Sequence, residues 1–459
     1  MKVIGSSGGT LEAIRRVLGE GPLVALRQHL TDQHIINACN EHGYTYRNRQ
    51  YGPVITVLHF LAQAIQREES FAATWQDLWT PLVAEFPRID LRGSDLSGLT
   101  HARKRLPRKV MEHLADQFCL KAEKMNLPKW KGFRLLAIDT STVSMPGDRE
   151  LFDHFGVHKA RTTTVRYPLG TFATLLSVGS SLILGYRFGP FDPGGVATSR
   201  PLFSHLGPED LLLADRGFAG SPSLASIKVT GAEFLMRKNG RLIVENLPVI
   251  KRLGSNDFIT ELTMNKLARE KDPTLPKKVR VRIFKAHWKT PSGEKVTEWF
   301  ITSLEDAQRY KKRTLAKLYH ERWQIETSYL EFKQVFHADI LRSKTVDNIC
   351  KEFSAHILSY QLVRLLIHEA AEKHKKKATE ISFLNATRWT LSFSCKMAYS
   401  PARRLPFMYE RLLDAIAGNE IDIRPGRLEP RAMSREPKRY PRLNTTRPVW
   451  RHKRLAGAL

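Results

Sequence analysis

The sequence lacks a long apolar run. Its most apolar stretch, residues 172–184, is interrupted by Gly179, Ser180 and Ser181. A helix needs about 20 consecutive apolar residues to span a bilayer, so this stretch is too short and too mixed. The opening residues, MKVIGSSGG, contain no apolar segment of the kind found in secretion signals. The sequence therefore predicts neither a membrane-spanning nor a secreted protein, and we expect a cytoplasmic location.

Cysteine is scarce and scattered. The four cysteines, Cys39, Cys119, Cys350 and Cys395, lie far apart and form no CxxC pair. Zinc knuckles and disulfide frameworks both need closely spaced or regularly spaced cysteines, so neither is supported. Free thiols in a reducing compartment are the simpler interpretation.

Acidic residues are outnumbered. The chain of 459 residues has 73 Lys and Arg but only 46 Asp and Glu, which gives a formal net charge of +27. An excess of this size attracts polyanions, and DNA or RNA is the partner that it favours. The alternative is a generic basic protein, such as a ribosomal accessory factor.

Residues 1–128 have the pattern of helices. Apolar side chains recur at helical spacing in two stretches, Val54, Leu58, Leu61 and Ile65 and then Val110, Leu114 and Phe118. Between them lies a basic cluster that begins at Arg103 and Lys104. These two side chains could contact DNA phosphates. A helix face that is merely solvated is equally compatible with the cluster.

The rest of the chain changes character several times. Short apolar runs alternate with helical stretches up to residue 237, which indicates a layered α/β core. Val, Ile, Phe, Trp and Thr then dominate, with turn signals at Asn239-Gly240 and residues 291–293, so we predict a β-rich insertion. A long helix is predicted from about Gln308 past Lys333, and another at residues 349–373. The predicted divisions are residues 1–128, 129–237, 238–310, 311–375 and 376–459, the last ending in a flexible basic tail from about Arg424.

Two aspartates share one local setting. Asp139 follows the apolar run 133–138, and Asp215 follows Leu211–Ala214. A carboxylate at the carboxyl end of a core strand is held rigidly and reaches the cleft beyond the sheet. Asp is also a common turn former, so a single instance would mean little. Two instances suggest a pair of metal ligands.

A third group of polar residues lies on one predicted helix. Tyr319, Arg322, Glu326 and Lys333 fall on one face at 100° per residue. That face presents a phenol, a guanidinium, a carboxylate and an ammonium group. The alternative is a solvated face with helical ion pairs. Tyrosine is an unusual choice for such a face, and the face is long enough to lie along a DNA backbone.

These residues resemble a known signature. Tyr319-x2-Arg322-x3-Glu326-x6-Lys333 is similar to the YREK signature of DDE-class cut-and-paste transposases, insertion-sequence family four. Residues 212–218 resemble the motif around the family's second aspartate, residues 234–237 the strand after it, and residues 341–344 the segment after the YREK helix. Asp139-Thr140-Ser141 departs from the Asp-Gly-Thr that many relatives have at the first aspartate.

The resemblance implies a ribonuclease H-like catalytic core that a β-rich insertion interrupts, with helical regions at both ends. It implies hydrolysis of phosphodiester bonds at transposon ends and joining of the freed 3′-hydroxyl to target DNA. Asp139, Asp215 and Glu326 would hold two Mg²⁺ ions, with Mn²⁺ as a substitute, because hard oxygen ligands suit these ions. Tyr319, Arg322 and Lys333 would bind phosphate. The resemblance also puts a tryptophan at Trp299, which would receive a base pulled out of a DNA hairpin. The alternative for Trp299 is a core position on a strand.

Three classes of function remain open on these residues. The first is a transposase that acts on terminal inverted repeats and target DNA as a homodimer, associated with the nucleoid. The second is a ribonuclease H-like nuclease or resolvase, which needs the same carboxylates but neither the β insertion nor the YREK face. The third is a domesticated transposase that regulates by binding DNA. Loss of a carboxylate would favour the third class, and all three carboxylates are present.

Overall fold

A computed structural model provides the structure of the protein. It describes residues 21–47, 51–66, 70–74, 76, 96–158, 167–264, 266–289, 295–398, 400–421 and 447–455. Most of the predicted basic tail, residues 424–446, lies outside the described residues. Within the described part of the chain, no helix combines the length and the apolar character that crossing a membrane requires.

The described elements alternate between helices and strands in the middle of the chain. The strands are β1 Lys129–Trp130, β2 Phe133–Ser144, β3 Leu169–Ser177, β4 Ile183–Pro190, β5 Asp210–Ala214, β6 Glu233–Arg237, β7 Lys251–Gly254, β8 Asp257–Thr263, β9 Lys278–Lys289 and β10 Lys295–Thr302. The α-helices are α1 Asp32–Glu41, α2 Pro53–Ile65, α3 Leu96–Arg105, α4 Arg108–Glu123, α5 Arg149–Phe155, α6 Val196–Ser199, α7 Ser221–Val229, α8 Lys266–Lys271, α9 Lys312–Tyr319, α10 Trp323–Val335, α11 Val346–Lys373, α12 Phe383–Ala398, α13 Leu405–Ala417 and α14 Arg447–Leu455. Short 3₁₀ helices cover Gly21–Gln28, Arg200–His205, Val244–Asn246, His320–Arg322, Ala378–Glu380 and Ala402–Arg404.

The chain divides into two compact units. The helical unit comprises Met1–Pro128, Gly179–Tyr186 and Glu326–Ile421, and the sheet unit comprises Lys129–Val178, Arg187–Ile325 and Asp422–Leu459. The division falls within α10, between Ile325 and Glu326.

The sheet unit is built on one mixed sheet. The strand order is β4-β3-β2-β5-β6-β10-β9-β8-β7, and β1 pairs with β2. β2 is antiparallel to β3 but parallel to β5, and β5 is parallel to β6. The central strands are buried on both faces, since Leu136 to Ile138 and Leu211 to Ala214 are fully inaccessible. Such continuous apolar runs are typical of parallel strands that are covered on both sides.

The predicted β-rich segment extends this same sheet. β10 pairs antiparallel with β6, and β9, β8 and β7 follow as an antiparallel meander. A buried ion pair holds the meander to the chain that follows it. Arg282 on β9 donates to both carboxylate oxygens of Asp257 on β8, at 2.7 and 2.6 Å. It also donates to the Tyr310 carbonyl at 2.8 Å, so the pair fixes the approach to α9.

The helical unit is centred on α11. Every residue from Ile349 to Ile367 is buried, which is more than the single apolar face that its sequence pattern predicts. Burial of the polar residues on α11 is compensated by hydrogen bonds, as it must be in a core. The Gln361 side chain bonds the Ile183 amide and carbonyl at 3.0 and 2.8 Å, and Glu352 accepts from the amides of Arg342 and Ser343. Arg364 pairs with Glu331.

Most predicted elements are confirmed, and four details are wrong. The helix predicted from about Gln308 begins at Lys312, because residues 303–311 form the turn that Arg282 holds. The same helix is not continuous, since a 3₁₀ turn at His320–Arg322 separates α9 from α10. Residues 447–455 of the predicted flexible tail form a helix, α14. The strand that begins at Phe133 does not end before Asp139 but continues to Ser144.

Candidate active site

Two neighbouring parallel strands bring Asp139 and Asp215 to equivalent positions. The register pairs Leu136 with Leu212 and Ala137 with Leu213, and each aspartate follows two residues after the last of these pairs. Asp215 therefore ends β5 at the level at which Asp139 occurs on β2. The apolar residues before both aspartates are fully buried, whereas both carboxylates are partly exposed. The sheet thus presents two carboxylates side by side, Asp215 directly after β5 and Asp139 within β2, which continues past it to Ser144.

Local backbone contacts hold both carboxylates. Asp139 Oδ1 accepts from the Thr140 amide at 2.8 Å, and Asp215 Oδ1 accepts from the Gly217 amide at 2.8 Å. A glycine also packs against the residue after Asp139. Gly195 has φ +64°, and a Cβ atom there would lie 2.2 Å from Thr140 Oγ1. A larger residue at position 195 would displace Thr140, and with it the neighbouring aspartate.

The first half of the YREK signature contacts these aspartates. Arg322, in the 3₁₀ turn, is 8% exposed, and its Nη1 lies 3.7 Å from Asp139 Oδ2. Tyr319, at the end of α9, is 2% exposed and packs edge-on against Phe300 with ring centres 5.2 Å apart. Burial raises the pKa of Tyr319, the Arg322 and Arg237 guanidiniums oppose that rise, and the Asp215 carboxylate adds to it. Tyr319 and Arg322 are therefore buried residues of the site and not parts of a solvated face.

Arg237 is a site residue that the sequence analysis did not single out. It ends β6, and the register that pairs Ala214 with Met236 puts it level with Asp215. Its guanidinium lies 5.6 Å from the Tyr319 ring centre, and its Nε has no hydrogen-bond partner in the described part of the chain. Three neighbouring parallel strands thus place Asp139, Asp215 and Arg237 at the same level, within β2, directly after β5 and at the end of β6. The recurrence of a charged residue after each apolar run is the signal that could have found Arg237.

The second half of the YREK signature belongs to the other unit. Glu326 and Lys333 are both half-buried on α10, seven residues apart and therefore on one face of that helix. Burial lowers the pKa of Lys333, and Asp339 opposes the shift. Glu326 is the first residue of its segment of the helical unit. Its role as third carboxylate remains a prediction.

The residues at the two strand ends suit a divalent cation. Mg²⁺ takes hard oxygen ligands, and proteins usually hold it through one or two carboxylates together with substrate phosphates. Asp139 and Asp215 supply two such carboxylates from adjacent strands. Within the described residues, no group of three or more His, Cys, Asp or Glu side chains is arranged to hold a metal ion. The suitability of this site for a divalent cation therefore depends on Asp139 and Asp215.

Trp299 lies on the opposite face of β10 from Phe300, which contacts Tyr319. Side chains alternate along a strand, and Trp299 pairs across the sheet with Lys285, whose ammonium lies 5.5 Å from the indole ring. Trp288 lies on the same face as Phe300, and its ring contacts His320 in the 3₁₀ turn at 5.1 Å between centres. Trp288 is thus the half-buried tryptophan nearer the YREK segment, a position that the sequence analysis missed.

The two predicted DNA contacts on α3 differ in exposure. Arg103 is 6% exposed, and its Nη1 binds the Gln63 side chain at 2.7 Å and His59 Nδ1 at 3.1 Å. Its guanidinium also lies 3.8 Å from the Phe60 ring centre. Arg103 is therefore a core residue that does not present its charge to a phosphate. Lys104 is exposed and remains a candidate contact.

Comparison with known proteins gives the family. Residues 130–362, just over half of the chain, match the family described as Transposase DDE domain. The matched range covers both aspartates, Arg237 and the whole YREK signature. The chain belongs to this family and is a DDE transposase, an enzyme that acts on DNA. Members of the family generally use divalent metal ions.

A curated relative extends the similarity to nearly the whole chain. The chain is 25% identical over 428 residues to the transposase InsG for insertion sequence element IS4 of Escherichia coli strain K12, covering 92% of this chain and 94% of the relative. A solved structure, the piggyBac transposase synaptic complex with hairpin DNA, is 12% identical with a TM-score of 0.47, and the match covers 86% and 85% of the two chains. A likeness of that strength adds nothing to the assignment.

Proposed function

We propose that the protein excises and joins a DNA element by phosphoryl transfer at Asp139, Asp215 and Glu326, with two Mg²⁺ ions. The observation that carries the proposal is the matching position of Asp139 and Asp215 on adjacent parallel strands, with Arg322 and Tyr319 against them. Glu326 follows Arg322 by four residues and completes the three-carboxylate set that the signature implies.

The strand order supports a ribonuclease H-like core. β2, β3 and β4 are consecutive in the chain and adjacent in the sheet, and β5 and β6 run parallel to β2 on its other side. This arrangement brings the carboxyl ends of β2, β5 and β6 to one edge, where ligands of α/β sheets bind. In this proposal the meander β10-β9-β8-β7 corresponds to the β-rich insertion predicted for residues 238–310.

The cationic and hydroxyl side chains near the aspartates have different proposed roles in the reaction. The bound ions would stabilise the attacking and leaving oxygens of an in-line displacement. Arg322 forks onto a phosphate with a planar guanidinium, and its present contact with Asp139 keeps it near the carboxylates. Arg237, level with Asp215, supplies a second cation for the charge that spreads over the phosphorus oxygens. Tyr319 donates a hydrogen bond from its hydroxyl, and its raised pKa keeps that proton in place.

Double-stranded DNA is the proposed partner, both as terminal inverted repeats and as target. The net charge of +27 attracts the DNA backbone, and that attraction also favours association with the nucleoid. Lys104 and Lys333 add contacts to phosphate. Two copies of the chain would hold the two ends of the element, so we propose a homodimer on DNA. If cleavage passes through a DNA hairpin, Trp299 and Trp288 are the two candidates for the tryptophan that receives the base pulled out of it.

The test uses two glutamates on the same stretch of chain. Glu326→Gln should abolish cleavage of the element's flanking inverted repeats, because the amide cannot replace a charged metal ligand. Glu321→Gln is the matched control, since Glu321 is exposed and five residues away. The control should cleave as the wild type does. DNA affinity, measured in parallel, should be unchanged in both variants.

Four outcomes test the proposal or separate it from the other functions. Full cleavage by Glu326→Gln removes Glu326 from the site. Cleavage in excess chelator, without added Mg²⁺ or Mn²⁺, removes the two-metal mechanism. Binding without any cleavage by the wild-type protein would favour a DNA-binding regulator, whereas cutting without joining of the 3′-hydroxyl would favour a nuclease or resolvase.

A further inference from the structure

The helical unit contains a small pocket lined with tyrosines and arginines. Its described walls come from three places, namely residues 44–47 after α1, Tyr51 before α2 and Arg105 at the end of α3, and the lining residues are Tyr44, Thr45, Tyr46, Arg47, Tyr51 and Arg105. The volume of the pocket is about 230 Å³. Pockets for drug-sized ligands are usually larger, roughly 300–1,000 Å³, so this one suits a single ring system.

The aromatic rings stand where a planar ligand could contact them. Tyr44 and Tyr46 lie 5.7 Å apart between ring centres, and Tyr46 is 42% exposed. A large aromatic side chain that is so exposed on a soluble protein often marks a binding site when others surround it. Base–aromatic stacking needs an accessible ring face of this kind.

The third tyrosine is set in place by a glycine. A Cβ atom on Gly98 of α3 would lie 2.7 Å from Tyr51 Cε2, closer than real Cβ contacts allow. The Tyr51 ring therefore packs directly on the backbone of α3, and only glycine leaves room for it. This close packing gives the pocket a wall that does not depend on a flexible side chain.

The charged residues of the pocket are both arginines. Arg47 and Arg105 are exposed, and Lys104 is exposed beside Arg105. Burial raises the pKa of Tyr44, and the Arg105 guanidinium opposes that rise, so Arg105 lies close to the Tyr44 hydroxyl. The nearby carboxylate of Glu41 is 3.4 Å from His113 Nε2, and none of the described residues that line the pocket is acidic.

We infer that this tyrosine pocket binds an unpaired nucleotide of DNA, with the base against the tyrosine rings and the phosphate against Arg47 and Arg105. Planar rings next to guanidinium groups match a base that is linked to a phosphate. An acidic peptide would satisfy the cations but would leave the tyrosine faces without a partner. The inference rests on the proposed function, which gives DNA as the partner. It adds a site for single-stranded DNA whose residues are far in the sequence from Asp139 and Asp215.

The experiment compares two DNA molecules of the same sequence at one salt concentration. One is a blunt duplex and the other carries a short unpaired overhang that contains 2-aminopurine, whose fluorescence falls when it stacks. The wild-type protein should bind the overhang DNA more tightly and quench the probe. Tyr46→Ala should weaken binding to overhang DNA by about 5- to 150-fold, the range for one stacked base, and should abolish the quenching.

Matched variants separate stacking from other effects. Tyr46→Phe keeps the ring and should behave as the wild type does. Gly98→Ala displaces the Tyr51 ring and should reduce the preference for the overhang without any change to a charged residue. Tyr167→Ala removes a tyrosine of similar exposure in the sheet unit, 36%, and should change nothing.

Equal binding of overhang and blunt DNA by the wild type, or a preference that Tyr46→Ala retains, would overturn the inference. A wild-type protein that cleaves the inverted repeats but shows neither the preference nor the quenching would leave the proposed function intact. A wild-type protein that neither binds nor cleaves DNA would instead contradict the proposed function itself.

Discussion

The charged residues of the candidate site differ in accessibility from those in the core of the helical unit. In the sheet unit, Asp139 lies within β2, Asp215 follows β5 and Arg237 ends β6, and all three keep part of their surface accessible. In the helical unit, Arg103, Lys351 and Arg364 lie inside the core, and protein groups satisfy them. Lys351 Nζ, for example, donates to the Arg103 and Leu106 carbonyls at 2.7 and 2.8 Å. The accessible charges are therefore available to a ligand, whereas the buried charges of the helical unit are occupied by protein groups.

The aspartate pair should give the largest effect. Asp139→Asn or Asp215→Asn should lower end cleavage by roughly 10³-fold or more, because a catalytic metal ion contributes several kcal/mol to stabilising the transition state. Asp153→Asn, on exposed α5, is the control. Single-turnover cleavage assays measure the effect. Wild-type rates in either strand-end variant would show that the two strand ends are not the active site.

The buried ion pair of the sheet unit should give the next largest effect. Arg282→Met should reduce the free energy of unfolding by about 3–5 kcal/mol, since it leaves Asp257 buried without its partner. Arg280→Met removes the neighbouring exposed pair with Glu305 and should cost less than about 1 kcal/mol. Chemical denaturation measures both. Similar losses in the two variants would mean that burial does not distinguish these pairs.

The effect of acid on stability should distinguish the helical unit, which contains His356, from the sheet unit. Burial lowers the pKa of His356 to about 3, from 6.5. Between these values the unfolded chain binds a proton that the folded chain does not, so stability falls as the pH falls below 6.5. From pH 7 to pH 5 the loss from this residue is about 2 kcal/mol. Hydrogen exchange of α11 at the two pH values should show it.

The variant His356→Leu should remove that part of the pH dependence. His287→Leu changes an exposed histidine of β9 and should leave it unchanged. An unaltered pH dependence in His356→Leu would assign the acid sensitivity to other groups, such as His59, whose pKa burial also lowers.

Adjacent residues on α3 should give the smallest effect and the most direct contrast. Lys104→Gln should reduce the salt dependence of DNA binding by about one unit of slope and leave stability unchanged. Arg103→Met should do the reverse, because its guanidinium binds Gln63 and His59 inside the core. A salt titration and a denaturation curve for each variant measure both quantities. If Arg103→Met changed the salt dependence of DNA binding and Lys104→Gln did not, Arg103 and not Lys104 would be the DNA contact.

Much of the site could be predicted because its chemistry is local in sequence. Each aspartate directly follows an apolar run that only a buried strand explains, and Tyr319, Arg322, Glu326 and Lys333 have a spacing that the family's signature shares. Arg237 was missed because a single arginine after a strand has no distinctive neighbours. Its significance comes from the register with Asp215, which depends on how β5 and β6 pair.

Other features could not be read from local patterns. The 3₁₀ turn at His320–Arg322 interrupts what the apolar pattern presents as one helix. Arg103 and Lys104 are neighbours with the same charge, yet one is buried and the other exposed. Trp299 and Trp288 lie on opposite faces of the sheet, and this placement depends on the register between β9 and β10.

The sequence by itself determined the class of enzyme, the similar positions of the two aspartates and the helical character of the regions at either end. These features could be predicted because strand-forming runs and motif spacing depend on residues that are close together in the chain. Only the tertiary structure decided which cations are buried, which tryptophan faces Tyr319 and which arginine joins the aspartates. Those outcomes depend on strand pairing and on burial, and both arise from contacts between residues that are far apart in the chain.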